Sequence, residues 1–211
     1  MLIDDMKNTL MTVSLLSAAA ALSAAGSTNS TPNPSGLVYE RIGAGYVQNE
    51  VFSGFTLSGA AFVNESLLIG GSYSNIDGRK GYADTSGELS RFNLSYVLYV
   101  GAGDIIFGTS YGQGNMYSDS EVVVADEMIF GITYRQAINE NFEFSLGFNR
   151  VSSKAGYVGI SGFDAQDVDG SAFNLAVRCN ITREFDVTAA YTLQKDSLGG
   201  NTLNLSVGYN F

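Results

Sequence analysis

Apolar and small polar residues alternate along almost the whole chain, and this period of two constrains the fold more than any other feature. In residues 142–148 and again in 203–211, every second residue is large and apolar, and the residues between them are Gly, Ser, Asn and a single Glu. A period of two places successive side chains on opposite faces of a β-strand. No helical period of useful length occurs from Leu37 onward. The chain is therefore predicted to be all-β.

Ten alternating segments lie between residue 42 and residue 211. Each is about 10 residues long, the length that a tilted strand needs to cross a bilayer core. The connectors alternate as well, because tight turns such as "NES", "NEN" and "TRE" follow longer, acidic stretches. Short turns at one rim and longer loops at the other are typical of membrane barrels. We predict a closed antiparallel up-and-down transmembrane β-barrel of ten strands, with eight strands as the alternative.

The two faces of the predicted strands differ in a way that favours lipid outside and water inside. One face is bulky and aromatic, whereas the other carries mostly Gly, Ser, Thr, Ala and Asn with few charges. A soluble barrel or sandwich would instead present many charges on its second face. The aromatic residues fall near strand ends, as interfacial girdles do. One predicted girdle contains Tyr46, Tyr73, Phe92, Tyr111, Phe148 and Tyr191, and the other contains Tyr134, Phe142, Phe185, Tyr209 and Phe211.

The first residues indicate export. Lys7 precedes an apolar stretch at 10–22, and small residues follow at 23–25, which is the layout of a secretory signal peptide. We assign residues 1–25 to this signal, with translation starting at Met6 as a hypothesis. Residues 26–36 are predicted to form a flexible leader, and residues 37–211 the barrel.

Composition excludes several classes of function. The formal net charge of −10 argues against nucleic acid, because phosphate binding needs clustered cations. The chain has no histidine and a single cysteine, Cys179, so a His or Cys metal cluster is excluded. A Ser or Thr nucleophile would need another base, and no lysine lies at a plausible inward position. The sequence predicts no enzyme activity and no cofactor.

Six charged residues are predicted to form a charge layer in the lumen: Arg41, Arg91, Arg135, Glu143, Arg178 and Asp186. Arg135 and Glu143 are equidistant from Asn139, and Arg178 and Asp186 from Thr182, so each pair is expected to lie directly opposite across a hairpin. The structural interpretation is a layer of mutually paired charges. The functional interpretation is a constriction that selects ions. Phe62, Leu68, Ile106 and Ile129 share the inward parity and could plug a narrow path.

The signal peptide, the alternating segments and the last strand together resemble small, ten-stranded, porin-like outer-membrane barrels of Gram-negative bacteria. In that class, a last strand with alternating apolar residues and a final Phe is the segment read by the barrel assembly machinery. The matching positions are Leu203, Leu205, Val207, Tyr209 and Phe211. The families of enzymes on such barrels use a catalytic histidine, which this chain lacks.

The resemblance implies a monomer in the outer membrane whose partners are membrane lipid, lipopolysaccharide and the assembly machinery. Two functions fit. One is a narrow passive pore for small solutes or ions. The other is a closed structural or surface-recognition barrel that adheres through the loop at 153–170.

Overall fold

The computed structural model describes residues 35–79, 83–118, 121–159, 162–195 and 201–211. These residues form ten strands: β1 (Arg41–Gln48), β2 (Phe52–Phe62), β3 (Leu67–Gly78), β4 (Ser86–Val100), β5 (Gly103–Ser118), β6 (Glu121–Ala137), β7 (Phe142–Gly159), β8 (Gly162–Asn180), β9 (Phe185–Lys195) and β10 (Thr202–Asn210). Neighbours in sequence pair antiparallel, and β1 pairs with β10, which closes the barrel. The predicted closed antiparallel barrel is confirmed.

The predicted signal peptide at 1–25 and most of the leader at 26–36 lie outside the described residues. Within the described part of the chain, no helix has the length and apolarity needed to cross a membrane. Residues 37–40 precede β1 and are not part of a strand.

The barrel closes where the last strand meets the first. Ile42 lies opposite Tyr209 and Tyr46 lies opposite Leu205, so the outward apolar residues of β1 and β10 stand side by side. Closure pairs the edges that an open sheet would expose to hydrocarbon, where an unpaired backbone group costs several kcal/mol. Phe211 follows β10 directly.

Short connections lie at one end of the barrel, which we call the turn end; the opposite end is the loop end. Side-chain oxygens organise three of the turn-end connections. Asn64 Oδ1 accepts the N–H groups of the second and third residues after it, at 3.0 and 2.9 Å. Asn139 Oδ1 and Thr182 Oγ1 make the same pair of bonds in their own turns. These Asx and ST turns are the physical reason why "NES", "NEN" and "TRE" reverse the chain.

The strands at the loop end are longer than predicted. β5 to β8 contain between 16 and 19 residues each, whereas β1 has 8 and β10 has 9. The expectation of uniform strands joined by long acidic loops is therefore wrong for this side of the barrel. Alternation continues through the polar segments, and antiparallel pairing extends to Ser118–Glu121 and Gly159–Gly162. The rim of the barrel is consequently oblique.

The outward face is apolar over a continuous band. Phe55, Phe92, Phe130, Leu146 and Phe173 have between 51% and 71% of their surface exposed, although each is large and apolar. Phe185 and Tyr209 lie in one girdle, with ring centroids 5.3 Å apart, and Tyr46 and Tyr73 are exposed in the other. A water-exposed surface of this size would be unstable, whereas hydrocarbon is its natural solvent. The chain is thus a transmembrane β-barrel.

Candidate functional site in the barrel lumen

The middle of the lumen is lined by neutral polar side chains. Their alternation with the outward apolar residues directs them inward, and each is less than 10% exposed because the small interior is filled by side chains. The group comprises Thr56, Ser74, Ser95, Ser110, Thr133, Asn149, Thr188, Thr192, Thr202 and Asn204. Hydroxyls and amides offer both donors and acceptors, so this region suits water or a neutral polar solute.

Within the described residues, several of these groups have no hydrogen-bond partner in the protein. Neither amide atom of Asn149 has one, and the hydroxyls of Thr133 and Thr202 also lack one. Asn149 is fully buried. A buried polar group without a partner costs about 1–3 kcal/mol. The lumen therefore carries polar groups that a small polar molecule would stabilise, at Thr133 and, nearer the loop end, at Asn149 and Thr202.

A network of charges lies below this region, at the turn end. Arg41 on β1 reaches Asp186 on β9 through two bonds, Nε to Oδ2 at 2.9 Å and Nη2 to Oδ1 at 2.8 Å. Arg178 on β8 donates to the same Asp186 Oδ2 from Nη2, at 2.8 Å. All three side chains are at most 7% exposed. Asp186 thus neutralises two arginines in a region with little water.

Glu143 on β7 extends the network. Arg135 donates to Glu143 Oε2 from Nε at 3.0 Å and also from Nη2. Arg178 Nη1 lies 3.9 Å from the same oxygen, and Asn180 Nδ2 donates to Oε1 at 3.1 Å. Five of the six predicted charges therefore come together, which we call the turn-end network: Arg41, Arg135, Glu143, Arg178 and Asp186.

The predicted register within these hairpins is wrong by two residues. Arg135 lies opposite Ser145, and Glu143 lies opposite Ala137. Arg178 likewise lies opposite Thr188 rather than Asp186. The turns are centred one residue later than assumed, because Asn139 and Thr182 begin their turns instead of occupying the middle. The ion pairs form diagonally, which a long arginine side chain can span.

A glycine makes room for the Arg41–Asp186 pair. Gly208 on β10 lies between β1 and β9, directly opposite Gly43 on one side and Asp186 on the other. A Cβ atom on Gly208 would overlap the Arg41 guanidinium group. Sequence reasoning missed this role, although an inward glycine in the last strand is a visible signal.

Arg91 lies apart from the turn-end network and forms a second site. Its Nη2 pairs with an oxygen of Glu127 on β6, and both side chains are at most 1% exposed. Gly112 on β5 lies opposite both residues, so the pair passes over a glycine here as well. Sequence reasoning did not assign Glu127 to the lumen, because it follows a stretch with several acidic residues. The sequence does contain a clue to this position, since Glu127 has the same parity as the inward residue Ile129. The parity applies because the β5–β6 hairpin continues past the membrane band and keeps Glu127 within a strand.

Residues 35–40, which we call the lumen segment, enter the barrel at the turn end. Tyr39 is fully buried, and its hydroxyl donates to Asp104 Oδ2 at 2.6 Å. Burial raises the pKa of this hydroxyl, so the group stays protonated and remains a donor. The Arg135 guanidinium stacks over the Tyr39 ring, with 4.6 Å from Cζ to the ring centroid. Arg178 Nη1 donates to the carbonyl of Val38 at 3.0 Å.

The turn-end network thus holds the lumen segment as well as pairing its own charges. Glu40 Oε1 accepts the backbone N–H of Phe62 at 2.9 Å, and Ser35 Oγ donates to Asp104 at 2.7 Å. Sequence reasoning did not identify Tyr39, Glu40 or Asp104, because the residues before β1 carry no strand pattern that would place them.

Two apolar clusters bound the polar middle of the lumen. The turn-end cluster consists of Leu37, Tyr39, Leu68, Val97 and Ile106, with Phe62 packed against it. The loop-end cluster consists of Val47, Phe52, Ile76, Met116 and Val123. Three of the inward residues predicted to plug a path, Phe62, Leu68 and Ile106, belong to the turn-end cluster, and Ile129 is buried elsewhere in the lumen.

The residues of the predicted assembly signal all lie on the outer surface. Leu203, Leu205, Val207 and Tyr209 of β10 are between 42% and 57% exposed, and Phe211 is 47% exposed. They form part of the apolar band and the turn-end girdle. Cys179 is half-buried and unpaired with any other cysteine. Among the described residues, no group of three or more His, Cys, Asp or Glu side chains could hold a metal ion.

Solved structures with a similar fold include several outer-membrane barrels. The KdgM porin is 10% identical, with 81% of this chain and 99% of that chain covered and a TM-score of 0.45. The NanC porin is 10% identical, with 82% and 100% covered and a TM-score of 0.45. Neisserial surface protein A is 11% identical, with 81% and 95% covered and a TM-score of 0.42.

No protein-family model matches the chain, and a search of curated proteins gives no match. The assignment of the fold accordingly depends on the chain's own strand pairing. Over its described residues, the protein is a closed ten-stranded antiparallel β-barrel, and its structural neighbours include outer-membrane porins.

Proposed function

We propose that the protein is an integral barrel of the bacterial outer membrane that acts as a narrow passive pore for small solutes or ions. One observation carries this proposal: a polar lumen lies between two apolar clusters, and the lumen segment completes one of them. A barrel with a purely structural role has no need of unpaired polar groups inside its lumen, because an apolar filling would be more stable.

The arrangement supports a pore that is closed at its turn end in the state described here. The lumen segment contributes Leu37 and Tyr39 to the turn-end cluster, and it belongs to no strand. Its withdrawal would therefore leave the ladder within the strands intact, although the 3.4 Å bond from the Phe211 N–H to the Glu40 carbonyl would be lost. It would remove Leu37 and Tyr39 from the turn-end cluster, leave Leu68, Val97 and Ile106 on the barrel wall, and widen the turn-end opening toward the polar part of the lumen.

Conductance across planar bilayers tests this proposal. We expect rare, brief openings for the unchanged protein and a large increase in open time for the double variant L37A/Y39A. The matched control is Y46A/L57A, which also truncates one Tyr and one Leu, but on the lipid-facing surface. Absence of conductance in both the unchanged protein and L37A/Y39A would refute the pore.

The outer-membrane location is supported by the signal-like first residues and the apolar band between two aromatic girdles. We further propose that the protein is a monomer with membrane lipid, lipopolysaccharide and the assembly machinery as partners. No catalytic role is assigned, because the chain lacks the histidine that enzymes on similar barrels use.

The assembly role of the last strand has its own test. Deletion of Phe211 removes an exposed aromatic ring from the turn-end girdle. We expect the truncated protein to insert into the outer membrane several-fold less efficiently, as measured by heat-modifiable migration of membrane fractions. Truncation of Phe185 to Ala in the same girdle is the control, and equal efficiency of all three proteins would contradict the assembly role.

A closed recognition barrel is the second candidate, and the height of β7 and β8 favours it. Their paired strands extend from the membrane band to Gly159–Gly162 and present charged pairs outward, including Lys154 with Asp167. Replacing residues 157–164 by a two-residue Asn-Gly turn should abolish adhesion to cells or matrix while the barrel still folds. Unchanged adhesion would exclude this role for the hairpin.

A further inference from the structure

On each strand, a large apolar outward residue near the loop end is followed, two positions farther toward the loop end, by a polar residue. We call these ten polar residues the rim row: Gln48, Ser53, Asn75, Ser90, Gln113, Asp126, Arg150, Ser171, Lys195 and Asn201. Beyond the row, β5 and β6 again carry apolar residues of the same parity at Tyr117, Val122 and Val124. Each follows a large apolar residue such as Phe148 or Phe173. Aromatic girdles sit at the level of the lipid headgroups, so the rim row faces those headgroups directly.

Positive charge in the rim row is confined to one sector. Among the residues of the row, the cations are Arg150 on β7 and Lys195 on β9, and they flank Ser171 on β8. The register places Arg150 opposite Ser171 and Ser171 opposite Lys195. The backbones of β7 and β9 are about 10 Å apart, because one strand lies between them. The long side chains of Arg150 and Lys195 can close this distance around one small anion.

An apolar row lies immediately beneath these cations. Phe148, Phe173 and Leu193 pair side by side on the same three strands, one outward position closer to the membrane centre. The rings of Phe148 and Phe173 pack with centroids 5.1 Å apart. A molecule that bound here would therefore meet cations at the rim and hydrocarbon-like surface below, which is the layout of an anionic lipid.

The neighbouring carboxylates equal the nearby cations in number, but they lie above Arg150 and Lys195 or on the adjacent strand. Asp169 Oδ2 lies 3.3 Å from Arg150 Nη2, with both side chains 59% exposed. One rung higher, Lys154 Nζ lies 3.7 Å from Asp167 Oδ1, also exposed. Asp126 stands on the adjacent strand β6, where Tyr111 and Gln113 donate to it. Exposed pairs of this kind are weak, so Arg150 is available to exchange Asp169 for a better acceptor.

We infer that Arg150 and Lys195, which flank the buried Ser171, bind the phosphate of an anionic lipid headgroup in the leaflet at the loop end. The guanidinium fork can donate two bonds to phosphate oxygens, and the ammonium group adds a second charge. The apolar row selects a lipid over free phosphate, because only a lipid brings acyl chains to Phe148 and Phe173.

Native mass spectrometry of the full chain in detergent tests the site, with phosphatidylglycerol, phosphatidylcholine and inorganic phosphate as probes. We expect one phosphatidylglycerol to be retained, with about tenfold weaker retention in R150Q/K195Q, since two charge-assisted contacts are lost. The control K154Q/R183Q removes one Lys and one Arg that are also exposed but lie outside the rim row. It should retain the lipid within about twofold of the unchanged protein.

Three results would overturn the inference. These are equal losses in R150Q/K195Q and K154Q/R183Q, equal retention of phosphatidylcholine and phosphatidylglycerol, and displacement of the lipid by millimolar inorganic phosphate. Heat-modifiable migration on gels verifies that every variant is folded, and the single variant K195Q provides the same comparison with the smallest structural change. The site does not depend on whether the lumen conducts.

Discussion

The two buried charge sites of the lumen are built on the same local plan but differ in how widely their charges are shared. In each, an arginine reaches a carboxylate across a glycine, Gly208 in the turn-end network and Gly112 at Arg91. Asp186 serves two arginines, whereas Arg91 and Glu127 form a separate pair on β4 and β6. Breaking a buried pair is expensive because one charge loses its counterion. Sharing should therefore protect the turn-end network against single substitutions.

Removing one arginine from each site gives the largest expected contrast. R91Q takes the arginine partner from buried Glu127 and should lower the free energy of unfolding by about 3–5 kcal/mol. R41Q should lower it by only about 1–3 kcal/mol, because Asp186 keeps its bonds from Arg178 and Thr188. Urea unfolding in lipid vesicles measures both. Equal losses would show that sharing gives no protection.

The glycines allow a sharper comparison. G208A places a methyl group on the Arg41 guanidinium and should destabilise the barrel by about 1–3 kcal/mol. G59A is the matched control in β2, where a Cβ atom meets Ile42 Cγ2 at an ordinary 3.5 Å. Its unfolding midpoint should stay close to that of the unchanged protein. A neutral G208A would mean that Arg41 can leave Asp186 without loss.

The diagonal contact between Arg135 and Glu143 can be measured by a double-mutant cycle. R135Q, E143Q and the double variant should give a coupling energy of about 0.5–3 kcal/mol, since the side chains are bonded although their backbones are out of register. Replacing Ser145, which lies directly opposite Arg135, supplies the control cycle. A larger coupling to Ser145 than to Glu143 would reverse this interpretation of the register.

The smallest effect is expected at the lumen segment. Y39F removes one hydrogen bond to Asp104, which keeps the bond from Ser35, so the free energy of unfolding should fall by about 1 kcal/mol. Because the segment lies outside the strands, the substitution should act mainly on closure, and the open time in planar bilayers should rise. Y99F, at the same rim, alters a bond to the turn carbonyl of Glu65 and is the control. Identical open times for Y39F and the unchanged protein would show that the Tyr39 hydroxyl has no part in closing the pore.

Much of the architecture could be predicted because alternation is a local property. The parity of Phe144, Leu146 and Phe148 decides which face they occupy, whatever the rest of the chain does. The same parity correctly placed Arg41, Arg91, Arg135 and Arg178 on the inward face. The parity argument was not extended to Glu127, because polar residues at the loop end were assumed to lie in loops rather than in strands.

Contacts between strands were harder to predict, because they depend on register and on shape. Glu127 and Arg91 are separated by a third strand, and the pairing of Arg41 with Asp186 exists only after β10 closes the barrel. No local sequence pattern predicts a contact between residues on strands that are not adjacent in the chain. The rim site has the same character, because Arg150 and Lys195 become neighbours of Ser171 only through the registers of β7, β8 and β9.

The sequence by itself determined the all-β class, the two faces of the strands and the absence of histidine chemistry, since these follow from residue type and a period of two. Only the tertiary structure decided which charges meet and what closes the lumen. Residues 35–40 carry no strand pattern, and their position depends on Asp104, Arg135 and Arg178, which three different strands bring to one end of the barrel. These three side chains meet only in the closed barrel, because the registers of the paired strands determine which residues lie close together.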